Sequence, residues 1–199
     1  MSKRGVLVIL VLFLSLVSIV QAGISNVDTC SELKTAIENN NNTNITSNIN
    51  CAGVDFGDWR SGNVNTFTEN ITGNNFTIFN LTLTGTSGSY SSQYVGLIPK
   101  ANKADIKDII LHNLTIKTGT SPAGLVGEAL NVNITNVYIN ASINDTGGTQ
   151  DYAGGIVAYA ENSTLYNVIF NGTLITVDDK KGGIIGATSP NGIGTIINN

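Results

Sequence analysis

Short apolar runs, each only a few residues long, follow one another through the chain after residue 40. Val, Ile and Thr fill most of them, and Gly, Asn, Asp and Ser stand at their ends, which is typical of β-strands joined by turns. No segment in this part shows the period of about 3.6 residues that marks an amphipathic helix. The pattern therefore predicts an all-β protein beyond residue 40.

One short helix is predicted before the strands, over residues 31–38. Leu33, Ala36 and Ile37 share one face of it, and Ser31 is the expected N-cap. Residues 39–50 are rich in Asn, and we expect a loop followed by the first strand there.

The strand pattern is a repeat. Blocks of one glycine and two apolar residues begin at Gly96, Gly124, Gly155 and Gly183, at spacings of 28, 31 and 28 residues. Related residues recur at fixed distances after these glycines: Ala101, Ala129, Ala160 and Thr188 after five; Ile106, Ile134, Leu165 and Ile193 after ten; Asp108, Asn136, Asn167 and Thr195 after twelve; Ile109, Val137, Val168 and Ile196 after thirteen; Leu111, Ile139, Phe170 and Asn198 after fifteen. The extra residues of the longest unit are expected in the Gly- and Thr-rich stretch 144–150.

Units of this size cannot each bury an apolar face, but stacked coils bury a continuous apolar column. The sequence therefore predicts a right-handed parallel β-helix of about five to six coils, closed at its N-terminal end by the short helix. The polar column that begins at Asp108 is expected to form a ladder at a turn and to satisfy backbone groups there. The predicted organisation is a signal peptide at 1–22, an N-terminal cap at 23–51 and a β-helix at 52–199, with repeats at about 94–121, 122–152, 153–180 and 181–199.

The N-terminus has the pattern of an export signal. Lys3 and Arg4 precede an apolar run over residues 6–20, and the expected cleavage site lies between Ala22 and Gly23. The run is shorter than the ~20 residues that a membrane-spanning helix needs. We therefore expect a secreted protein, extracellular or at the cell surface, with no membrane span after cleavage.

The cysteines and asparagines suggest two modifications. Cys30 and Cys51 are expected to form a disulfide, because an even number of cysteines in an exported chain is typical of such bonds, and two unpaired thiols are the alternative. Asn-x-Ser/Thr triplets offer candidate N-glycosylation sites at Asn41, Asn44, Asn70, Asn75, Asn80, Asn113, Asn133, Asn140, Asn144, Asn162 and Asn171. A chain rich in Asn and Thr also forms such triplets by composition alone.

Composition narrows the function classes. Charged residues make up 12% of the 199 residues, about half the usual share of roughly 25%. The formal charge is −4, from 10 basic and 14 acidic residues, and loss of Lys3 and Arg4 with the signal would make it −6, from 8 and 14. An acidic chain is poorly suited to nucleic acid. One His and two Cys exclude most structural zinc sites, which need about four nitrogen or sulfur ligands, and we expect no cofactor.

The repeat units carry a recognisable motif. A glycine-containing apolar block and a following strand with a central Asn occur at 123–127 with 134–138 and at 154–158 with 165–169, while 182–186 begins a third unit and 94–98 begins the most divergent, with Pro99 where glycine is usual. This motif resembles that of exported GLUG-repeat proteins, and the helix, Trp59 and the segment 73–83 resemble their leader. The resemblance implies a β-helical surface protein of the adhesin type, and it brings no catalytic residues.

The leading functional hypothesis is a non-enzymatic, adhesin-like surface module that binds extracellular glycans or proteins through repeated outer faces. A secreted polysaccharide lyase or hydrolase is an alternative, and such enzymes need paired or clustered carboxylates. Its candidate groups are Asp105, Lys107, Asp108, His112, Asp145, Asp151, Asp178, Asp179, Lys180 and Lys181. A structural spacer, or a fragment of a larger surface protein, is a further alternative. Because no cap follows the last strand before Asn199, end-to-end self-association is an additional expectation.

Overall fold

The computed structural model describes residues 23–59, 61–85, 93–118, 121–146, 152–176, 180–189 and 196–198. The predicted signal peptide, which ends at Ala22, lies outside the described residues, as do residues 190–195 of the last predicted repeat. In the described part, strands and one helix form a parallel β-solenoid of about five turns. The predicted parallel β-helix with a short N-terminal helix is confirmed.

The strands are short at the N-terminal end and long in the repeats. In chain order the elements are β1 (Ile24–Val27), α1 (Cys30–Glu38), β2 (Asn42–Ile45), β3 (Ile49–Asn50), β4 (Ile71–Thr72), β5 (Thr77–Phe79), β6 (Thr82–Gly85), β7 (Tyr94–Val95), β8 (Ile98–Asn102), β9 (Asp105–Thr118), β10 (Ser121–Pro122), β11 (Val126–Leu130), β12 (Asn133–Asp145), β13 (Tyr152–Gly154), β14 (Val157–Glu161), β15 (Thr164–Ile175), β16 (Lys180–Gly182), β17 (Ile185–Thr188) and β18 (Ile196–Asn198).

Two principal sheets run the length of the repeats. The larger sheet has the order β1-β2-β4-β9-β12-β15-β18, with β3, β5 and β6 pairing alongside, and the smaller has the order β17-β14-β11-β8. All of these pairs are parallel, so each strand pairs with the equivalent strand of the next coil. Side chains at one repeat position therefore lie above one another along the solenoid axis, about 4.8 Å apart.

The core consists of the inward-facing columns that the repeat predicted. Ile109, Val137 and Val168 pair in register and are at most 2% exposed. Ile106, Ile134 and Leu165 are equally buried, and so are Leu111 and Ile139, whereas Phe170, which follows Ile139 in its column, is partly buried. Each such side chain contributes about 1.5–3 kcal/mol by leaving water, so these columns supply the main stabilisation of the solenoid.

The repeat glycines lie where neighbouring coils approach each other most closely. The N–H of Gly124 donates to the Gly155 carbonyl at 3.2 Å, and the N–H of Gly155 donates to the Gly182 carbonyl at 3.1 Å. A Cβ atom built on Gly124 or Gly155 would overlap the carbonyl oxygen of the next glycine, whereas one built on Gly183 would meet no atom of the described part of the chain within 4 Å. Close backbone approach is thus the reason for glycine at the interior positions of this column.

The N-cap of α1 differs from the one predicted. Thr29, and not Ser31, is the cap: its hydroxyl accepts a hydrogen bond from the Glu32 N–H, and the Glu32 carboxylate accepts from the Thr29 N–H. This reciprocal capping box satisfies two N–H groups that a helix starting at Ser31 would leave open. A further hydrogen bond from the Asp28 N–H is the main reason why the pKa of Glu32 lies below its usual value.

The helix covers one end of the core and is held there covalently. Leu33 and Ile37 are fully buried in the same cluster as the repeat columns, which confirms the predicted apolar face. Cys30 and Cys51 form the predicted disulfide, with their Cα atoms 5.1 Å apart. Closing a loop of 21 residues stabilises a protein by roughly 3 kcal/mol in the chain-entropy account.

Trp59 joins the irregular segment after the cap to the first repeat. Its side chain is 1% exposed, and its Nε1–H donates to the carbonyls of Gly96 at 3.0 Å and Leu97 at 3.1 Å. Phe56 packs edge-on against it with ring centroids 4.7 Å apart. An indole is suited to this position because it fills apolar space and also satisfies buried carbonyls.

The register of the last unit differs from the prediction. Leu165 pairs with Ile197 and Tyr166 pairs with Asn198, so the predicted matches of Ile196 with Val168 and of Asn198 with Phe170 are wrong. Ile193 and Thr195 lie outside the described residues. Ile197 follows Thr188 by nine residues, whereas Leu165 follows Ala160 by five, and the sequence between Thr188 and Ile197 holds Pro and two glycines, which favour turns over strand.

Candidate functional site

Asparagine ladders run along the outside of the solenoid. Asp108, Asn136 and Asn167 have φ angles of 57°, 54° and 51°, in the left-handed region that Asn and Asp tolerate better than most residues. The Asn136 amide donates to Asp108 Oδ1 at 2.8 Å, and the Asn167 amide donates to Asn136 Oδ1 at 2.9 Å. The predicted ladder therefore exists over these three residues, and these two bonds join its side chains to one another; Thr195, the fourth predicted member, lies outside the described residues.

Two further ladders flank the first. Asn113 donates to Asn80, which donates to Asn50, at 2.7 and 3.1 Å. Asn162 donates to Asn131 at 2.6 Å. These chains of amides fix both the side chains and the bends between strands, so the outer surface is rigid.

Two replacements of Asn136 are expected to separate the contribution of its ladder hydrogen bonds from that of its tolerance of a positive φ angle. Asn136→Ala loses the ladder bonds and places a Cβ-bearing residue without a polar side chain at positive φ, so we expect a loss of about 2 kcal/mol in the free energy of unfolding. Asn136→Gly loses the same bonds but accepts the backbone angle, so we expect a loss of about 1 kcal/mol. Urea unfolding followed by circular dichroism measures both, and equal losses would contradict the backbone contribution.

The outer face of the larger sheet carries exposed apolar side chains. Lys107, Thr135 and Tyr166 pair in register and point outward between buried neighbours. Ile110, Tyr138 and Ile169 form a second outward column. Tyr166 and Ile169 are each 52% exposed, which is unusual for large apolar residues. We call the two columns together the outer face.

A shallow groove crosses this outer face. It has a volume of about 190 Å³ and is lined by Asn75, Ile110, Asn136, Val137, Tyr138, Asn167 and Ile169. The Tyr138 hydroxyl accepts a hydrogen bond from the Asn171 amide at 3.2 Å, which fixes the ring at its edge. The lining residues comprise amides, aliphatic groups and one phenol, and none carries a formal charge.

A second aromatic group lies on a different surface. Tyr94, Tyr152 and Tyr159 have ring centroids 5.3–6.5 Å apart, and the Lys180 ammonium lies 4.8 Å from the centroid of Tyr152. We call these three side chains the tyrosine cluster. Glu128 lies one coil before Tyr159 in the same outward column, and its ion-pair partner Lys100 lies two coils before. The tyrosine cluster thus has charged surroundings, unlike the groove.

The groups proposed for an enzyme are spread apart or engaged in ladders. Asp105 accepts a hydrogen bond from Asn133 at 2.8 Å, and the residues that follow Asp105 and Lys107 in the next coil are Asn133 and Thr135. His112 is exposed, whereas Asp145 is 1% exposed and accepts a hydrogen bond from Thr176. Lys180 and Lys181 lie in β16, and Asp151, Asp178 and Asp179 lie outside the described residues. Over the part of the chain that the structure describes, no three His, Cys, Asp or Glu side chains form a group able to hold a metal ion.

The candidate glycosylation sites divide into two groups. Most of their asparagines use the side-chain amide or its oxygen in hydrogen bonds between coils: Asn41, Asn44, Asn70, Asn80, Asn113, Asn133, Asn140, Asn162 and Asn171. Asn75 and Asn144 are exposed, and their side chains make no hydrogen bond to the described residues. Attachment of a glycan at these two positions would leave the ladders intact.

Apart from Lys107, which was a candidate for an enzyme, sequence reasoning did not single out the residues of the outer face. Its positions lie eleven and fourteen residues after the repeat glycines, next to the buried columns at thirteen and fifteen. Their residue types change from coil to coil, so they do not stand out as a column. The alternation of exposed and buried positions was the available signal.

A search for membrane-spanning helices and three comparisons with known proteins complete the description. No helix among residues 23–59 and the other described ranges is long and apolar enough to cross a membrane. No protein-family model, no curated protein and no solved structure matches this chain.

Proposed function

We propose that the protein is a non-enzymatic, adhesin-like surface module that binds extracellular glycans or proteins through its outer face. The observation that carries the proposal is the outer face itself, where Tyr138, Tyr166 and Ile169 are presented beside ladder amides on a rigid β-solenoid. Exposed apolar groups cost stability in water, and a contiguous group of them is typical of an interaction surface.

The scaffold suits weak and repeated contacts. Because the ladders fix the amides and the bends, little side-chain entropy is lost when a ligand binds. Because each coil presents the same outward positions, an extended ligand can engage several coils at once and gain avidity. Secretion, and the resemblance to GLUG-repeat proteins, belong to the same proposal. The Cys30–Cys51 disulfide is compatible with an oxidising compartment.

Self-association remains a prediction with one supporting feature. In the described part of the larger sheet, β1 stands at the end of the order and pairs only with β2. Ile24 of β1 is 72% exposed. An open strand edge of this kind can accept a strand from a second molecule.

The proposal is tested with the purified exported protein and a panel of immobilised polysaccharides, both neutral and acidic, together with extracellular matrix proteins. We expect retention of the protein on at least one surface, with the length of the polysaccharide chains unchanged. Shortened chains would overturn the non-enzymatic part of the proposal and favour the lyase or hydrolase alternative. Absence of retention on every surface would favour the structural spacer.

A further inference from the structure

We propose that the groove binds an extended, neutral polysaccharide that lies along the solenoid axis, with about one sugar residue against each coil. This inference rests on the proposed function and names its ligand class and site. The groove joins residues of four successive coils: Ile110, Tyr138 and Ile169 stand in line, while Asn75, whose N–H donates to the Asp108 carbonyl, lies beside the ladder amides Asn136 and Asn167.

The lining matches the two kinds of surface that a pyranose ring presents. Ile110, Tyr138 and Ile169 form an apolar strip on which the C–H face of a sugar can pack. Asn136 and Asn167 each use one amide hydrogen in the ladder, so the second N–H of each amide is available to a hydroxyl. The Asn75 side chain makes no hydrogen bond to the described residues, and it adds a donor and an acceptor at one end of the groove.

The amides are held in place before a ligand arrives. Asn75, Asn136 and Asn167 all have positive φ, at 61°, 54° and 51°, and the ladder fixes the last two side chains as well. Donors that are already oriented lose little entropy on binding. This property separates the groove from an ordinary polar surface, on which amide side chains rotate freely.

A peptide strand is a poorer occupant of this groove. An extended peptide gains affinity mainly by adding a strand to an open sheet edge. β12 lies inside the sheet and pairs with β9 on one side and β15 on the other, whereas β15 pairs with β18 only at Thr164, Leu165 and Tyr166. The backbone groups of β12 at the centre of the groove are therefore already used, and a ligand there must bring hydroxyl groups that bond to side chains.

The charges favour a neutral ligand over an acidic one. No lining residue is basic, and the Asp108 carboxylate stands next to Asn136 in the ladder. Asp105 adds a second carboxylate on the same strand, which Lys107 balances only in part. A uronic-acid polymer would bring further negative charge to this surface without a cationic partner in the groove lining.

The distance between successive coils favours a polysaccharide that runs parallel to the solenoid axis. Coils repeat about every 4.8 Å, which is close to the length of one sugar unit in an extended β-linked chain. A polysaccharide parallel to the axis therefore meets an equivalent set of contacts at each coil. Four coils give a groove length of about 14 Å between the first and last, so affinity should rise with oligosaccharide length and level off at about four units.

The test is a titration of the ¹⁵N-labelled protein, made in a host without N-glycosylation, followed by NMR. The probes are cello-, laminari- and chito-oligosaccharides of two to six units, with hexagalacturonate and hexaguluronate as acidic probes. We expect at least one neutral series to shift the side-chain amide signals of Asn75, Asn136 and Asn167, with affinity levelling off near four units. Preferential binding of the acidic probes would overturn the inference, and so would a neutral series that shifts none of these signals.

Variants separate the groove from other surfaces. Tyr138→Ala removes the aromatic part of the lining, and we expect about tenfold weaker binding, because such a ring contributes about 1.5 kcal/mol. Asn75→Asp keeps the size and the positive φ but adds negative charge and removes the donor, so weaker binding is expected again. Tyr159→Ala, in the tyrosine cluster, is the matched control and should bind like the original protein. Thermal unfolding verifies that all three variants fold.

The two proposals fail in different ways. If the original protein is retained on a polysaccharide and Tyr138→Ala is retained equally well, the inference fails and the adhesion proposal stands. If the original protein is retained on no glycan or matrix protein, the adhesion proposal itself fails, and the groove assignment fails with it.

Discussion

Gly155→Ala is expected to destabilise the protein by about 3 kcal/mol, at the upper end of the range for overpacked cores. A Cβ atom at this position would overlap the Gly183 carbonyl oxygen and would lie 2.6 Å from Phe170 Cδ1. The carbonyl belongs to the backbone of the next coil, which cannot turn away as a flexible side chain would. Urea unfolding followed by circular dichroism measures the loss.

Gly183→Ala is the matched control. It makes the same chemical change at the next glycine of the same repeat column, yet its Cβ would meet no atom of the described residues within 4 Å. We expect a change of about 0.5 kcal/mol or less. Equal losses in both variants would contradict close packing of coils as the reason for glycine at position 155.

Trp59→Ala is expected to cost about 3–5 kcal/mol, the usual range for removing a buried aromatic residue. The variant loses the contact with Phe56 and leaves the carbonyls of Gly96 and Leu97 without the indole N–H. Trp59 is the only tryptophan, so fluorescence cannot report on its variants, and far-ultraviolet circular dichroism during urea unfolding is the measurement.

Trp59→Phe separates packing from hydrogen bonding. Phenylalanine fills most of the space but has no N–H, so a loss of about 1–2 kcal/mol is expected from the unsatisfied carbonyls. A loss as large as that of Trp59→Ala would assign the whole effect to the hydrogen bonds. No loss at all would contradict the role given to Nε1.

The interior of the repeats was predictable from the sequence because stacking imposes one residue class on each column. Ile106, Ile134 and Leu165 follow their repeat glycines at the same distance, and the structure places them in register. The asparagine ladder was predictable for the same reason. The last unit was not, because the prediction assumed a constant length between Thr188 and its next strand.

In the N-terminal region, β1 and the capping box of α1 were not predicted from the sequence, for two different reasons. β1 is short and polar, and it forms by pairing with β2 and not through a pattern of its own. No alternation in four residues could have revealed it. The capping box was visible, because Thr29 and Glu32 stand three residues apart, and the choice of Ser31 overlooked it.

The groove depends on tertiary register, which the sequence does not display. Asn75 lies before the first clear repeat, and only the pairing of β5 with β9 brings its surroundings next to Ile110. The outward side chains also do not pack in the core, so their residue types vary between coils. A binding surface of this kind therefore becomes apparent only after the coils have been aligned.

The disulfide near the N-terminus also determines how a pulling force would pass through the molecule. Tension that enters the chain at β1 crosses from Cys30 directly to Cys51. α1 and β2 lie within the bridged segment, so they carry no tension and cannot be peeled away in sequence. Without the bridge, the 21 residues between the cysteines would extend by up to about 70 Å. The first coil therefore acts as a mechanical stop for the parallel stack behind it.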